Sequence, residues 1–302
     1  MSEKIVLAGA TGLIGHPLCD ALAGAGYEVV LLVRKPTPSR HRTVLWEGKA
    51  LGPWQGELDG AAAVFNLAGR SVNCRWNERN RRAIELSRTE STTAIGEAIA
   101  ACDAPPPVWI NASATGYYGD RGEETLSERS SHGTGFLSDV CVQWERALFE
   151  APASRTRRVA LRTGVVLANE GGAFPPLRTL ARFGLGGSAG SGSQWLSPIH
   201  IDDLVRMYVA AMGRGWEGPI NAVGPKPERN GDLMMVLRHA VGRSFGVGAP
   251  AWALRLIGAT VGPDSELLLG STRAVPSRAS ALGFEFRFDR VESIFANLLR
   301  ER

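Results

Sequence analysis

The chain has 302 residues, 44% of them hydrophobic and 21% charged, with a formal net charge of +4. That length and composition allow a large buried core and fit one large domain, or one domain with a small added lobe, in a globular protein. The charge is too modest, and the arginines of 70–88 too poorly interleaved with aromatic residues, for nucleic-acid binding to be expected.

Cys19, Cys74, Cys102 and Cys141 show neither metal-ligand spacing nor the density of a disulfide scaffold, so a reducing compartment, the cytoplasm, and no metal are expected. No basic leader precedes the first apolar run, and no run approaches the length of a membrane span. Neither secretion nor a membrane partner is expected.

Residues 4–8 (KIVLA) predict a strand, 12–25 a helix and 27–33 (YEVVLLV) a second buried strand, which together make a βαβ unit. Apolar runs at 62–67, 107–112 and 158–167 continue the series. Two long helices separate them: one from Asn77, a good N-cap residue, to about Ala101, with Ile84, Ile95 and Ile99 in phase, and one from about Gly135 to Phe149. The alternation predicts an α/β fold, a Rossmann-type doubly wound parallel sheet with a small C-terminal substrate lobe. Residues 1–170 are assigned to the dinucleotide-binding domain, with segments near 195–222 completing its core, and 171–302 mainly to the lobe. Beyond 170 the pattern loosens into a glycine-rich stretch at 183–195, read as a mobile lid, and a short helix from Asp202 to Met212.

Residues 9–15 read GATGLIG between a strand and a helix. Gly9, Gly12 and Gly15 allow the tight turn and let backbone amides and the positive helix end approach a pyrophosphate. The second strand ends in Val33, Arg34 and Lys35 with no carboxylate for a ribose 2′-hydroxyl, and Arg34 suits a 2′-phosphate, so NADP(H) is expected over NAD.

GATGLIG, NLAG (66–69), ASATGYYG (112–119) and IHIDDLV (199–205) together resemble the extended short-chain dehydrogenase/reductase superfamily, the class of nucleotide-sugar epimerases and dehydratases. CRWNERNRRAIELSRTEST, CVQWE, RTGVVL, GLGGSAGSGSQW, NAVGPKP and LGFEFRF narrow the resemblance to an atypical, epimerase-like sub-family. It implies NADP(H) bound by Gly9, Thr11, Gly12, Leu13, Ile14, Gly15 and Arg34, with Leu67, Ala68, Gly69 and Val165 lining it. It also implies a catalytic serine at Ser113, a structural His200, and a homodimer paired through the two long helices. Pro198 stands where the sub-family usually has tryptophan.

In the superfamily a tyrosine exchanges a proton with substrate, and a lysine four residues later lowers its pKa. This chain has Cys141 and Glu145 at those positions, and none of its four tyrosines precedes a lysine by four. Three readings stay open. Ser113 and Tyr117 or Tyr118, helped by Arg121 or Arg75, carry an oxidoreductase or epimerase-like reaction. Cys141 or Glu145 is the acid–base group of another reaction. Or the protein is a non-catalytic NADPH-binding sensor or scaffold. The substrate is an unidentified small molecule; Arg75 beside Trp76 would suit an anionic one, and the other arginines of 70–88 read as a solvated face.

Overall fold

The computed structural model describes residues 3–213, 215–260 and 264–300. The chain runs β1 (Lys4–Ala8), α1 (Gly15–Gly24), β2 (Glu28–Val33), β3 (Arg42–Leu45), β4 (Ala63–Asn66), α2 (Glu78–Ala100), β5 (Val108–Ala114), β6 (Thr125–Leu126), α3 (Phe136–Phe149) and β7 (Arg157–Thr163). It continues through β8 (Val165–Ala168), β9 (Gly171–Gly172), α4 (Phe174–Arg182), β10 (Trp195–Leu196), β11 (Pro198–His200), α5 (Ile201–Ala210), β12 (Gly218–Ala222) and β13 (Glu228–Arg229). The described chain closes with α6 (Asn230–Ala240), α7 (Ala251–Thr260), α8 (Glu266–Leu269), β14 (Arg273–Ala274), α9 (Ser277–Ala281) and α10 (Val291–Arg300).

Seven strands form one sheet in the order β12-β7-β5-β4-β1-β2-β3, every neighbouring pair parallel. Side chains alternate across it as the strand pleat requires. Ile5 and Leu7 face one core with Leu18 and Leu22 of α1 and Leu204 and Met207 of α5, whereas Val6 and Ala8 face another with Ile95 and Ile99 of α2 and Leu148 of α3. The expected doubly wound fold is therefore present. The order reverses between β1 and β4, which opens a crevice above their carboxyl ends where such sheets take ligands.

The long helix starts where its sequence places it, because the Asn77 side chain accepts the Asn80 amide at 2.9 Å. The single apolar run expected over 158–167 is divided instead. A side chain at Gly164 would overlap the Ser197 carbonyl, and there the chain leaves the main sheet, β8 pairing with β11 and β9. The loosely patterned C-terminal part contains α4, α6 and α10, which share a separate core of Phe174, Leu233, Leu237, Ile294, Phe295 and Leu298. His200 caps α5: its Nδ1 accepts the Asp202 amide at 3.0 Å, its Nε2 lies 2.9 Å from Asn297, and its ring stacks on Phe288. Among the described residues no helix is long and apolar enough to cross a membrane, and no cluster of ligating side chains could hold a metal.

Candidate functional site

The GATGLIG turn leaves β1 through Gly9, whose φ of +80° a side chain rarely adopts and whose Cβ would sit 2.5 Å from the Leu67 backbone. The first glycine thus lets the β1 and β4 loops touch. Gly15 performs the same service inside α1, since a methyl there would run into the backbone of Ala10. Gly12 differs: its φ is ordinary, it is exposed, and the nearest protein atom to an added Cβ is 3.5 Å away. The fold itself does not require glycine at that position. The N-terminus of α1 has neither a side-chain cap nor an acid in its first turn, which leaves its amides and positive dipole end free for an anion. Arg34, exposed just past β2, makes no hydrogen bond or ion pair among the described residues, and Leu67, Ala68 and Gly69 border the same crevice at partial or full exposure. Leu13 packs against Gly171 and Gly172, so the turn after β1 reaches β9.

Polar side chains in otherwise apolar strands form two buried rows at the carboxyl edge. Asn66 and Asn111 are register partners on β4 and β5; the Asn66 amide donates to Asn111 Oδ1 at 2.8 Å and to Thr92 Oγ1 at 3.1 Å. Thr92 also accepts the Trp144 indole N–H at 3.0 Å, which ties β4, β5, α2 and α3 together on one side of the switch point. The second row is Ser113, Arg162 and Asn221, in register on β5, β7 and β12.

Glu145 covers this second row. Its carboxylate accepts Arg162 Nε at 2.8 Å and Nη2 at 2.7 Å, a bidentate pair, and the Ser113 hydroxyl at 2.6 Å. Arg162 also donates to the Tyr118 oxygen at 3.0 Å, and that phenol donates to Asn221 Oδ1 at 2.6 Å. The guanidinium carbon of the arginine sits over Tyr117, 3.4 Å from the ring centre. Burial disfavours the Arg162 cation, but its bonds to Glu145 outweigh this and raise its pKa. Burial also pushes the Tyr118 phenol up to about 12, against the opposing pull of Arg162. Ser113, Tyr118 and Glu145 are thus brought together, with every polar end engaged inside the protein.

A cavity of about 770 Å³ opens beside this network, walled by Thr115, Cys141, Trp144, Val165, Trp195 and Leu267 among others. Of the five residues singled out as catalytic, Cys141 is the one in its wall. The pKa of its thiol is pushed up to about 12, first by burial and then by the neighbouring Glu145 charge, with Arg88 pulling the other way. The buried thiol stays protonated at neutral pH, so iodoacetamide should leave Cys141 untouched in the folded protein and modify the less buried Cys74 first. Rapid labelling of Cys141, read by peptide mass, would contradict this geometry.

The profile of the NAD dependent epimerase/dehydratase family matches residues 5–135, and a domain of unknown function matches 249–298. An epimerase family protein of Staphylococcus aureus is 31% identical over 304 residues, spanning 99% of this chain and 100% of that one; one from Staphylococcus epidermidis is 31% identical over 300 residues, spanning 99% of each. The chain belongs to the epimerase family. Two solved structures place the epimerase-family fold alongside it. The human epimerase family protein SDR39U1, crystallised with NADPH, is 28% identical with a TM-score of 0.90 over 99% of this chain and 100% of its own. A nucleoside-diphosphate sugar epimerase from Corynebacterium glutamicum is 36% identical with a TM-score of 0.80, and this chain covers 58% of its length.

In this epimerase-family protein Arg162, Asn66, Asn111 and Asn221 were not singled out from the sequence. Their signal was present: each is a polar residue inside a strand whose neighbours are apolar, and such a residue is either misplaced or paired.

Proposed function

We propose that this protein binds NADP(H) above β1, β2 and β4 and acts as an oxidoreductase, moving hydride between the nicotinamide and a small carbonyl or alcohol in the cavity. One observation carries the cofactor reading: the open position at Gly12 at an uncapped helix end, with Arg34 past β2 unpaired among the described residues. The NADPH of the human relative supports the choice of cofactor. The amides from Thr11 to Gly15 would hold the pyrophosphate, Arg34 the 2′-phosphate, and Leu67, Ala68, Gly69 and Val165 the rest. When bound, the cofactor supplies or accepts hydride. The residues of the cavity wall exclude water and orient the substrate, and Cys141, protonated at neutral pH, stands at the position of the superfamily's proton donor.

A second reading, a non-catalytic NADPH sensor, is favoured by the closed network: Ser113, Tyr118 and Glu145 bond to one another's partners instead of presenting a free group to the cavity. A panel of aldehydes, ketones and sugar nucleotides, followed by NADPH absorbance, separates the two. Turnover of any member supports the enzyme, and tight NADPH binding without turnover supports the sensor. Whichever holds, Arg34→Ala should weaken NADPH at least about tenfold more than NADH, because a lost contact to a 2′-phosphate exceeds 1.4 kcal/mol. An equal loss for both in calorimetric titrations would remove Arg34 from the 2′-phosphate site.

A further inference from the structure

Helix α3 has lost the lysine of the superfamily pair, and Arg162 cancels the charge of the glutamate that replaced it. A different helix brings a cation to the same cavity. Arg88 of α2 lines it together with Cys141 and Trp144, its guanidinium carbon 5.1 Å from the Trp144 ring centre. Nη1 is anchored by the carbonyls of Arg70 at 3.0 Å and Ile84 at 2.9 Å. Neither Nε nor Nη2, which form the adjacent edge of the planar fork, donates to a protein acceptor among the described residues, and neither is sealed off as a buried unsatisfied atom. No carboxylate of the described residues pairs with Arg88, although Asp120, Asp264 and Glu266 line other parts of the wall. Arg88 is half-buried, and a partly desolvated guanidinium that lacks a counter-charge is stabilised when an anion joins it.

We propose that Arg88 is the anion-recognising residue of the cavity, its Nε and Nη2 gripping a carboxylate or phosphate of the substrate. The inference rests on the oxidoreductase reading and deepens it: the substrate is a small carbonyl or alcohol that bears an oxyanion. Two acceptor oxygens match the two free donors, and the anchored Nη1 together with the Trp144 face fixes the plane of the fork before binding. The arginine lies beneath Gly69, whose Cβ would sit 3.5 Å from Nη2, so the anion is held between the cofactor-lining loop and Cys141. The stretch 70–88, read from sequence as a solvated face, therefore has its last arginine turned inward.

The test uses the whole protein loaded with NADPH and titrated calorimetrically with oxalate and, separately, inorganic phosphate. Binding of one probe is expected, and which one binds distinguishes a carboxylate from a phosphate substrate. Arg88→Gln should weaken that probe at least about tenfold, with Arg88→Lys recovering part of the loss and NADPH affinity falling far less. The proposal is overturned if neither anion binds a protein that still takes up NADPH, if Arg88→Gln leaves anion affinity unchanged, or if NADPH affinity falls as much as that of the anion. Should NADPH itself fail to bind, the cofactor reading is lost, while the same anion titration on the cofactor-free protein still decides the role of Arg88.

Discussion

Glu145→Lys, which returns to α3 the lysine of the superfamily pair, is expected to destabilise the protein by about 3–5 kcal/mol instead of restoring an active site. The position is 6% exposed, and its carboxylate is the counter-charge of an Arg162 that is 3% exposed. Lysine there would face a guanidinium at hydrogen-bond distance with no acid to separate them, and the Ser113 hydroxyl would lose its acceptor. Glu145→Gln should lower stability less, since the amide oxygen still accepts one bond. Urea unfolding followed by circular dichroism measures both: the midpoint should shift with the slope unchanged. A Glu145→Lys protein as stable as the wild type would show that Arg162 does not depend on Glu145, and the account of the neutralised pair would fall with it. Cys141→Tyr combined with Glu145→Lys should behave no better, because Arg162 would still lack its counter-charge.

Gly12→Ala and Gly15→Ala are expected to fail in opposite ways. An added methyl at Gly12 meets nothing closer than 3.5 Å, so the melting temperature should hold while NADPH affinity drops at least about tenfold, the methyl occupying space the pyrophosphate needs. At Gly15 the methyl overlaps the Ala10 backbone inside the turn, so stability itself should fall by about 1–3 kcal/mol. Thermal unfolding and calorimetric titration on the same preparations separate the two effects. If Gly12→Ala bound NADPH as tightly as the wild type, the cradle at α1 would no longer account for the cofactor.

The two glycines show how far pattern reading reached. All three glycines of GATGLIG read alike in the sequence; only the packing of Leu67 and Ala10 separates the two that shape the turn from the one left open to a ligand. Secondary structure followed the same division. The β1–α1–β2 unit and the Asn77 cap were legible because a strand run, a glycine turn and an N-cap act over a few residues. The helices α4, α6 and α10 were not, since their apolar faces meet in a core shared by segments far apart in the chain, with Pro175 and Pro176 in α4 and Gly231 in α6.

Helix α3 separates the two sources of information most clearly. By itself the sequence determined that the family of folds is Rossmann-like, that a glycine-rich turn opens it, and that Cys141 and Glu145 stand on α3 where the superfamily has tyrosine and lysine; these are local patterns or simple absences. Only the tertiary structure decided what the replacement means. Arg162 lies 17 positions from Glu145, yet strand register and helix packing join them in a closed ion pair, while Arg88 reaches the cavity from a third element. Charge balance in a buried site is a sum over groups distant in the chain, and it exists only once the sheet has aligned them.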